Sequence, residues 1–152
     1  MAVSSEKEEA PVRLETLDGY GQFENLVKGN WLYSYRRSPW SGCVPHEVFD
    51  TVYGAAIDRL VNRGAKISVL VNPDDPDHAL GWCCWEVSGT TFALHYAYVK
   101  LVLQGRGLLG LMLRSLIPRE AKSLIFTFKT FDSEKLRKFR YKPVEARRKE
   151  MK

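Results

Sequence analysis

The sequence predicts an α+β domain, a mixed and mostly antiparallel sheet flanked by helices. Three observations carry that expectation. The segment from Pro45 to Arg63 repeats apolar residues at three- and four-residue spacing, the period of a helix with one buried face. Three strand-like segments follow in close succession, separated by turn residues, as in two antiparallel hairpins. A Gly-rich turn, an apolar helix and another strand come next, a crossover whose two strands run parallel.

The elements follow in order. Val12, Leu14 and Leu17 form a first strand that ends at the Asp18-Gly19 turn. Residues 22–37 are aromatic-rich; a helix is supported as far as Lys28, and the period is unclear beyond Asn30. In the long helix the apolar positions are Val48, Phe49, Val52, Tyr53, Ala56, Ile57, Leu60 and Val61, with Pro45 suited to its first turn and Gly64 to its stop. The three strands are Ala65–Val71, Ala79–Val87 and Thr91–Lys100, the first two joined by a loop over Asn72–Asp77. Leu108, Leu109, Met112, Leu113, Leu116 and Ile117 mark the next helix, which Pro118 ends. Ser123–Phe128 reads as a buried strand, and Ser133–Phe139 as a short helix capped by Asp132 or Ser133.

At 152 residues, 45% hydrophobic and 27% charged, the chain has ordinary globular composition and the length of one domain. We divide it into a frayed, acidic stretch over 1–10, a domain over 11–145 and a basic tail over 146–152. No apolar run approaches the roughly 18 residues needed to span a bilayer. The first residues carry acids and no apolar core of a signal peptide, so the expected location is the cytoplasm, with no membrane partner. Cys43, Cys83 and Cys84 include no C-x-x-C, and His46, His78 and His95 are not at zinc spacing; no metal is expected. From Lys129 to Lys152 there are ten Lys/Arg and four Asp/Glu, so the net charge of +5 belongs to the C-terminal part. That run is either a solvated surface or a contact for nucleic acid or cofactor phosphates.

The stretch from Tyr98 to Gly110 carries the chemistry. A strand ends, Gly105 and Gly107 allow tight turning, and a helix opens at about Gly107. The first amides of that helix have no internal partners, and its dipole adds partial positive charge, which suits a phosphate or pyrophosphate. Gln104 offers amide contacts and Arg106 charge. The signatures of a P-loop and of a dinucleotide-binding turn are absent.

The turn Gln104-x-x-Gly107-x-Leu109 resembles the Gln/Arg-x-x-Gly-x-Gly/Ala motif of the GCN5-related N-acetyltransferase (GNAT) superfamily, and the order of elements from about residue 12 to 141 resembles that fold. The phrase from Trp31 to Trp40, with Tyr98-Val99-Lys100, is also similar to small phage-encoded members, for which the location would be the host cytoplasm. The resemblance implies acetyl-coenzyme A as cofactor, bound where one strand splays from its parallel neighbour. Val99, Lys100 and Leu101 would hold the pantetheine, and Gln104, Gly105, Arg106, Gly107, Leu108, Leu109 and Gly110 the pyrophosphate. The sequence departs from the family at Leu109, where Gly or Ala is usual. It departs again at Leu136, which falls where the family's last helix often carries a Tyr, and in the short tail after Tyr141.

Acyl transfer to an amine needs a neutral amine, a polarised carbonyl and a leaving thiolate. His95 lies on the strand that feeds the turn, and histidine is the side chain most often used as a general base. It reads equally as a half-buried histidine with its hydrogen bonds satisfied. Tyr141 and Ser133 are the candidate thiolate proton donors, and an amide near Val99 would polarise the carbonyl. Trp31, Tyr33, Tyr35 and Arg36, with Arg37 and Trp40, form an aromatic-basic cluster where the family covers its acceptor; core packing is the other reading of its rings. Trp82 and Trp85 fall on opposite faces of their strand.

The leading expectation is thus an acyl-coenzyme-A-dependent N-acyltransferase whose acceptor is an amine on a small molecule, a protein or a nucleobase. The alternative is a catalytically degenerate binding module of the same fold, contacting nucleic acid or an acidic protein through its basic C-terminus; Leu109, Leu136 and the short tail motivate it. A homodimer is compatible with the resemblance, and no residue compels it.

Overall fold

The computed structural model describes residues 12–39, 45–100, 103, 107–128 and 138–142. The strands are β1 (Arg13–Leu17), β2 (Lys66–Asn72), β3 (Asp75–Ser88), β4 (Thr91–Val99), β5 (Ser123–Phe126) and β6 (Arg140–Tyr141). The helices are α1 (Glu24–Arg36), entered through a 3-10 turn over Gly21–Phe23, α2 (His46–Asn62) and α3 (Leu108–Leu116). The six strands form one sheet in chain order. β1 to β4 pair antiparallel, while β4–β5 and β5–β6 are parallel. No described helix is long and apolar enough to cross a membrane.

Helix α1 runs on to Arg36, eight residues past the point the sequence period supported. Phe23, Val27, Trp31 and Tyr35 recur at four-residue spacing and are all buried. Rings and β-branched residues are middling helix formers, so packing of that stripe on the sheet decides the helix. In α2, Phe49, Ala56, Ile57, Leu60 and Val61 are buried, whereas Val48 and Val52, counted with them from the sequence, are exposed. The expected loop over Asn72–Asp77 is shorter than its composition suggested. Asn72 Oδ1 accepts the Asp74 N–H at 2.9 Å, which closes the turn, and the ladder resumes with Asn72 opposite Asp75.

The sheet separates two apolar layers. Trp31, Tyr35, Phe49, Ile57, Ile67, Val69, Trp82, Cys84, Tyr96 and Phe128 pack beneath α1 and α2. Leu70, Cys83, Phe92, Leu94, Val99, Met112, Leu113 and Phe126 pack beneath α3. Trp82 and Trp85 thus occupy opposite faces, as strand alternation requires. The Trp85 indole N–H donates to Ser68 Oγ at 2.9 Å, which also bonds Thr16 Oγ1.

Candidate active site

Two irregularities of β4 build the site. The first is a bulge. Cys84 pairs with Tyr96 and Trp85 with Leu94, which leaves His95 as an extra residue on β4. The extra residue resets the alternation: Phe92 and Leu94 pack on the α3 face, but Tyr96 turns to the α1/α2 face. The second is a separation. β4 pairs with β5 from Thr91 to Leu94, and one further bond runs from the Thr127 N–H to the Leu94 carbonyl at 3.1 Å. β4 then continues to Val99 with no ladder to β5.

His95 stands at the point of separation and is 2% exposed. Its Nε2 lies 2.7 Å from Glu86 Oε1, and its Nδ1 lies 2.8 Å from Thr127 Oγ1. Arg63 donates to the same Glu86 oxygen at 2.6 Å through Nη2 and at 3.2 Å through Nε. The hydrogen bond from His95 holds the Glu86 carboxyl down at about 2, with burial opposing and Arg63 assisting. An ionised carboxylate only accepts, so His95 Nε2 carries a hydrogen and, in the neutral ring, Nδ1 accepts from the Thr127 hydroxyl. The chain Arg63–Glu86–His95–Thr127 thus fixes the tautomer and leaves Thr127 as the outlet of the imidazole. Neither Glu86 nor Thr127 was singled out from the sequence. The Ser88-Gly89 turn held the signal for Glu86, since counting back from Ser88 opposite Thr91 sets it opposite Ala93, beside His95.

The turn after β4 leads into α3 through Gly107, which has φ +79° and so sits in the left-handed region that glycine favours. A Cβ built there meets nothing within 4 Å. Among the described residues no side chain caps α3, and its first intrahelical bond runs from the Leu111 N–H to the Gly107 carbonyl at 3.0 Å. The amides of Leu108, Leu109 and Gly110 therefore have no carbonyl partner within the helix. This open helix head suits a pyrophosphate, so the described residues fit a coenzyme A phosphate group. Leu109 packs part of its side chain against the α3-face core. Val99 is buried on the same face, and the Lys100 N–H is spent on the Leu80 carbonyl at 3.0 Å, which leaves Lys100 its side chain to offer. Leu101, Gln104, Gly105 and Arg106 lie outside the described residues, as do Ser133, Leu136, Trp40 and Cys43.

The cluster expected over an acceptor divides. Trp31 and Tyr35 are core residues: Trp31 stacks on Tyr96 with centroids 5.1 Å apart, and Tyr35 meets Phe128 edge-on at 5.1 Å. Arg36 bonds Asp50 at 3.2 Å and lies over the Phe49 ring. Tyr33 is exposed, with Arg36 and Arg37 against its ring. The reason is helical spacing, which sends residues 31 and 35 to one face of α1 and 33 to another. Tyr141 aligns with Phe126 and, through it, with Leu94, so it stands one strand beyond β5 from His95. Cys83 and Cys84 are fully buried; burial pushes the Cys83 thiol up to about 12 and Cys84 in the same direction.

The fold as a whole has counterparts among solved structures. A provisionally assigned acetyl transferase from Pyrococcus furiosus superposes with a TM-score of 0.57 at 17% identity, over 87% of this chain and 96% of that one. The chain has the GNAT fold. A second provisionally assigned acetyltransferase, from Clostridium difficile, gives a TM-score of 0.52 at 11% identity, covering 90% of this chain and 97% of the other. No protein-family model matches the sequence, and no curated protein is significantly similar to it. The likeness is therefore one of GNAT architecture, and what the GNAT scaffold does here must be argued from its own residues.

Proposed function

We propose that the protein is an acyl-coenzyme-A-dependent N-acyltransferase that moves an acetyl group from acetyl-coenzyme A to an amine. One observation carries the reading: a strand that leaves its parallel neighbour at a bulge and delivers the chain to a Gly107-led helix whose first amides have no partner within the helix. When bound, acetyl-coenzyme A supplies an acyl group already activated as a thioester. The chain's own residues supply the rest. The amides at the head of α3 bind phosphate, with Gly107 admitting close approach. As the amine nitrogen bonds the acyl carbon, the thioester C–S bond would break and its sulfur depart as the coenzyme A thiolate, while the proton lost by the nitrogen passes to the Thr127 hydroxyl, which gives its own to His95 Nδ1. Glu86 holds the ring in the receptive tautomer and balances the imidazolium that results.

Thermal unfolding with and without coenzyme A tests the cofactor. A ligand at about 100 times its Kd stabilises by about 2.7 kcal/mol, or about 5–10 °C at this size. Gly107→Glu should abolish that shift through bulk and like charge. A folded protein with no shift would overturn the reading and favour a binding module of the same fold. For catalysis, His95→Gln and Thr127→Val should each lower kcat by about 10²-fold or more, and Thr127→Ser should restore it. Full activity in Thr127→Val would remove the relay and leave the fold assignment intact.

A further inference from the structure

Where β4 and β5 part, both lines of chain change sides at the same level. In a regular strand, residues two apart share a face. Leu94 and Phe126 pack on the α3 face, yet Tyr96 and Phe128, each two residues further on, pack on the α1/α2 face. In β4 the bulge at His95 makes the reversal. In the other line β5 ends at Phe126, and the chain bends through Thr127 and Phe128. His95 and Thr127 are the residues at which the two reversals occur, and they share the 2.8 Å bond. Backbone pairing stops there, so side chains must hold what the ladder no longer holds.

Aromatic rings do the holding. Tyr96 stacks on Trp31, and its hydroxyl lies 2.6 Å from Ser34 Oγ. Ser34 gives its one hydrogen to the Asn30 carbonyl at 2.6 Å, so the phenol is the donor to Ser34. Both anchors belong to α1. Slipping the bulge out would set His95 opposite Cys84 and swing the Tyr96 ring to the α3 face, so a grip on Tyr96 is also a grip on His95. Phe128 is 1% exposed and sits among four rings: Trp31 at 5.3 Å, Tyr35 at 5.1 Å, Tyr53 at 6.5 Å and Tyr96 at 6.1 Å, the last with planes 89° apart. It is held by α1, α2 and β4 at once. Phe128 follows Thr127 directly, and a β-branched threonine has few rotamers, so the seat of the ring sets where the Thr127 hydroxyl points.

We propose that Phe128, with Tyr96 as its partner, is a positioning residue that holds the Thr127 hydroxyl on His95 Nδ1. Each ring acts through its neighbour in the chain. The inference rests on the acyltransferase reading only in taking the His95–Thr127 pair to be catalytic.

The test reads the His95 ring by nitrogen NMR in the full chain without ligand. His95→Gln assigns its signals among the three histidines. Thr127→Val gives the position of Nδ1 when no hydroxyl donates to it. Phe128→Leu should move the native Nδ1 signal at least half-way to that position, with Nε2 still protonated. Phe49→Leu is the control. Phe49 is 0% exposed in the same aromatic layer, with its ring on Tyr35 and Tyr53. Its loss should lower Tm as Phe128→Leu does, yet leave Nδ1 at its native position. Tyr96→Phe keeps the ring and drops the bond to Ser34; it should move Nδ1 in the same direction by less, and it carries the test where Phe128→Leu does not fold. A native Nδ1 signal in either fork variant, or an equal displacement in Phe49→Leu, would overturn the proposal. If coenzyme A stabilises the native protein while the signals stay in place, the positioning role fails and the acyltransferase reading stands. If the signals move in a protein that ignores coenzyme A, the hold on His95 stands and the acyltransferase reading fails.

Discussion

Replacing Glu86 by Gln removes one negative charge and changes almost nothing in shape. In the native protein that charge accepts hydrogen bonds from two groups in different surroundings. Arg63 is 48% exposed, so its ion pair contributes about 0–1 kcal/mol. His95 is 2% exposed, and turning its bond to a carboxylate into a neutral one forfeits about 1–2 kcal/mol. Together Glu86→Gln should cost about 2 kcal/mol at pH 7, a fall in Tm of about 4–8 °C for a chain of this length. The pH dependence is the sharper test. Glu86 titrates at about 2 in the folded protein against an ordinary 4.5, so its stabilisation is complete above 4.5 and is lost as pH falls toward 2. Urea unfolding of both proteins from pH 7 down to pH 3 should show a gap that holds steady and then narrows below 4.5. A variant as stable as the parent at pH 7, or a gap that ignores pH, would refute the argument that the His95–Glu86 bond is charged and native-specific.

Three further expectations follow from single sites. Gly107→Ala forces a Cβ into a left-handed conformation without a clash, so it should cost about 1–2 kcal/mol in thermal unfolding, and a neutral result would contradict the φ of +79°. Gly81→Ala places a Cβ 2.9 Å from the Tyr98 carbonyl, so urea unfolding should show a loss of about 1–3 kcal/mol; an unchanged midpoint would mean the β3–β4 pair is looser than described. Cys83 and Cys84 are buried with thiols raised above their ordinary range, so peptide mapping after native alkylation should find both unlabelled, with labelling only after denaturation.

The sequence by itself determined the order of elements. Period-3.6 and period-2 patterns depend on neighbours a few residues apart, and turns such as Asp18-Gly19 and Ser88-Gly89 declare themselves locally. The meander over 65–100, the helix after Gly107 and the parallel crossover to residue 123 were legible for that reason. Some of the site was also legible: His95 on the strand feeding the turn, and Gly107 at the helix head. Tertiary structure decided the rest. Continuation of α1 to Arg36 depended on a sheet for Val27, Trp31 and Tyr35 to pack against, and the same packing took two rings of the expected acceptor cluster into the core. The bulge at His95 shows in no local pattern, because it is a mismatch between two strands, yet it turns Tyr96 to the α1/α2 face. Thr127 meets His95 across 32 residues of chain, and Tyr96 meets Ser34 across 62. Such meetings are set by how the layers stack, which is a property of the whole fold and is written at no single position.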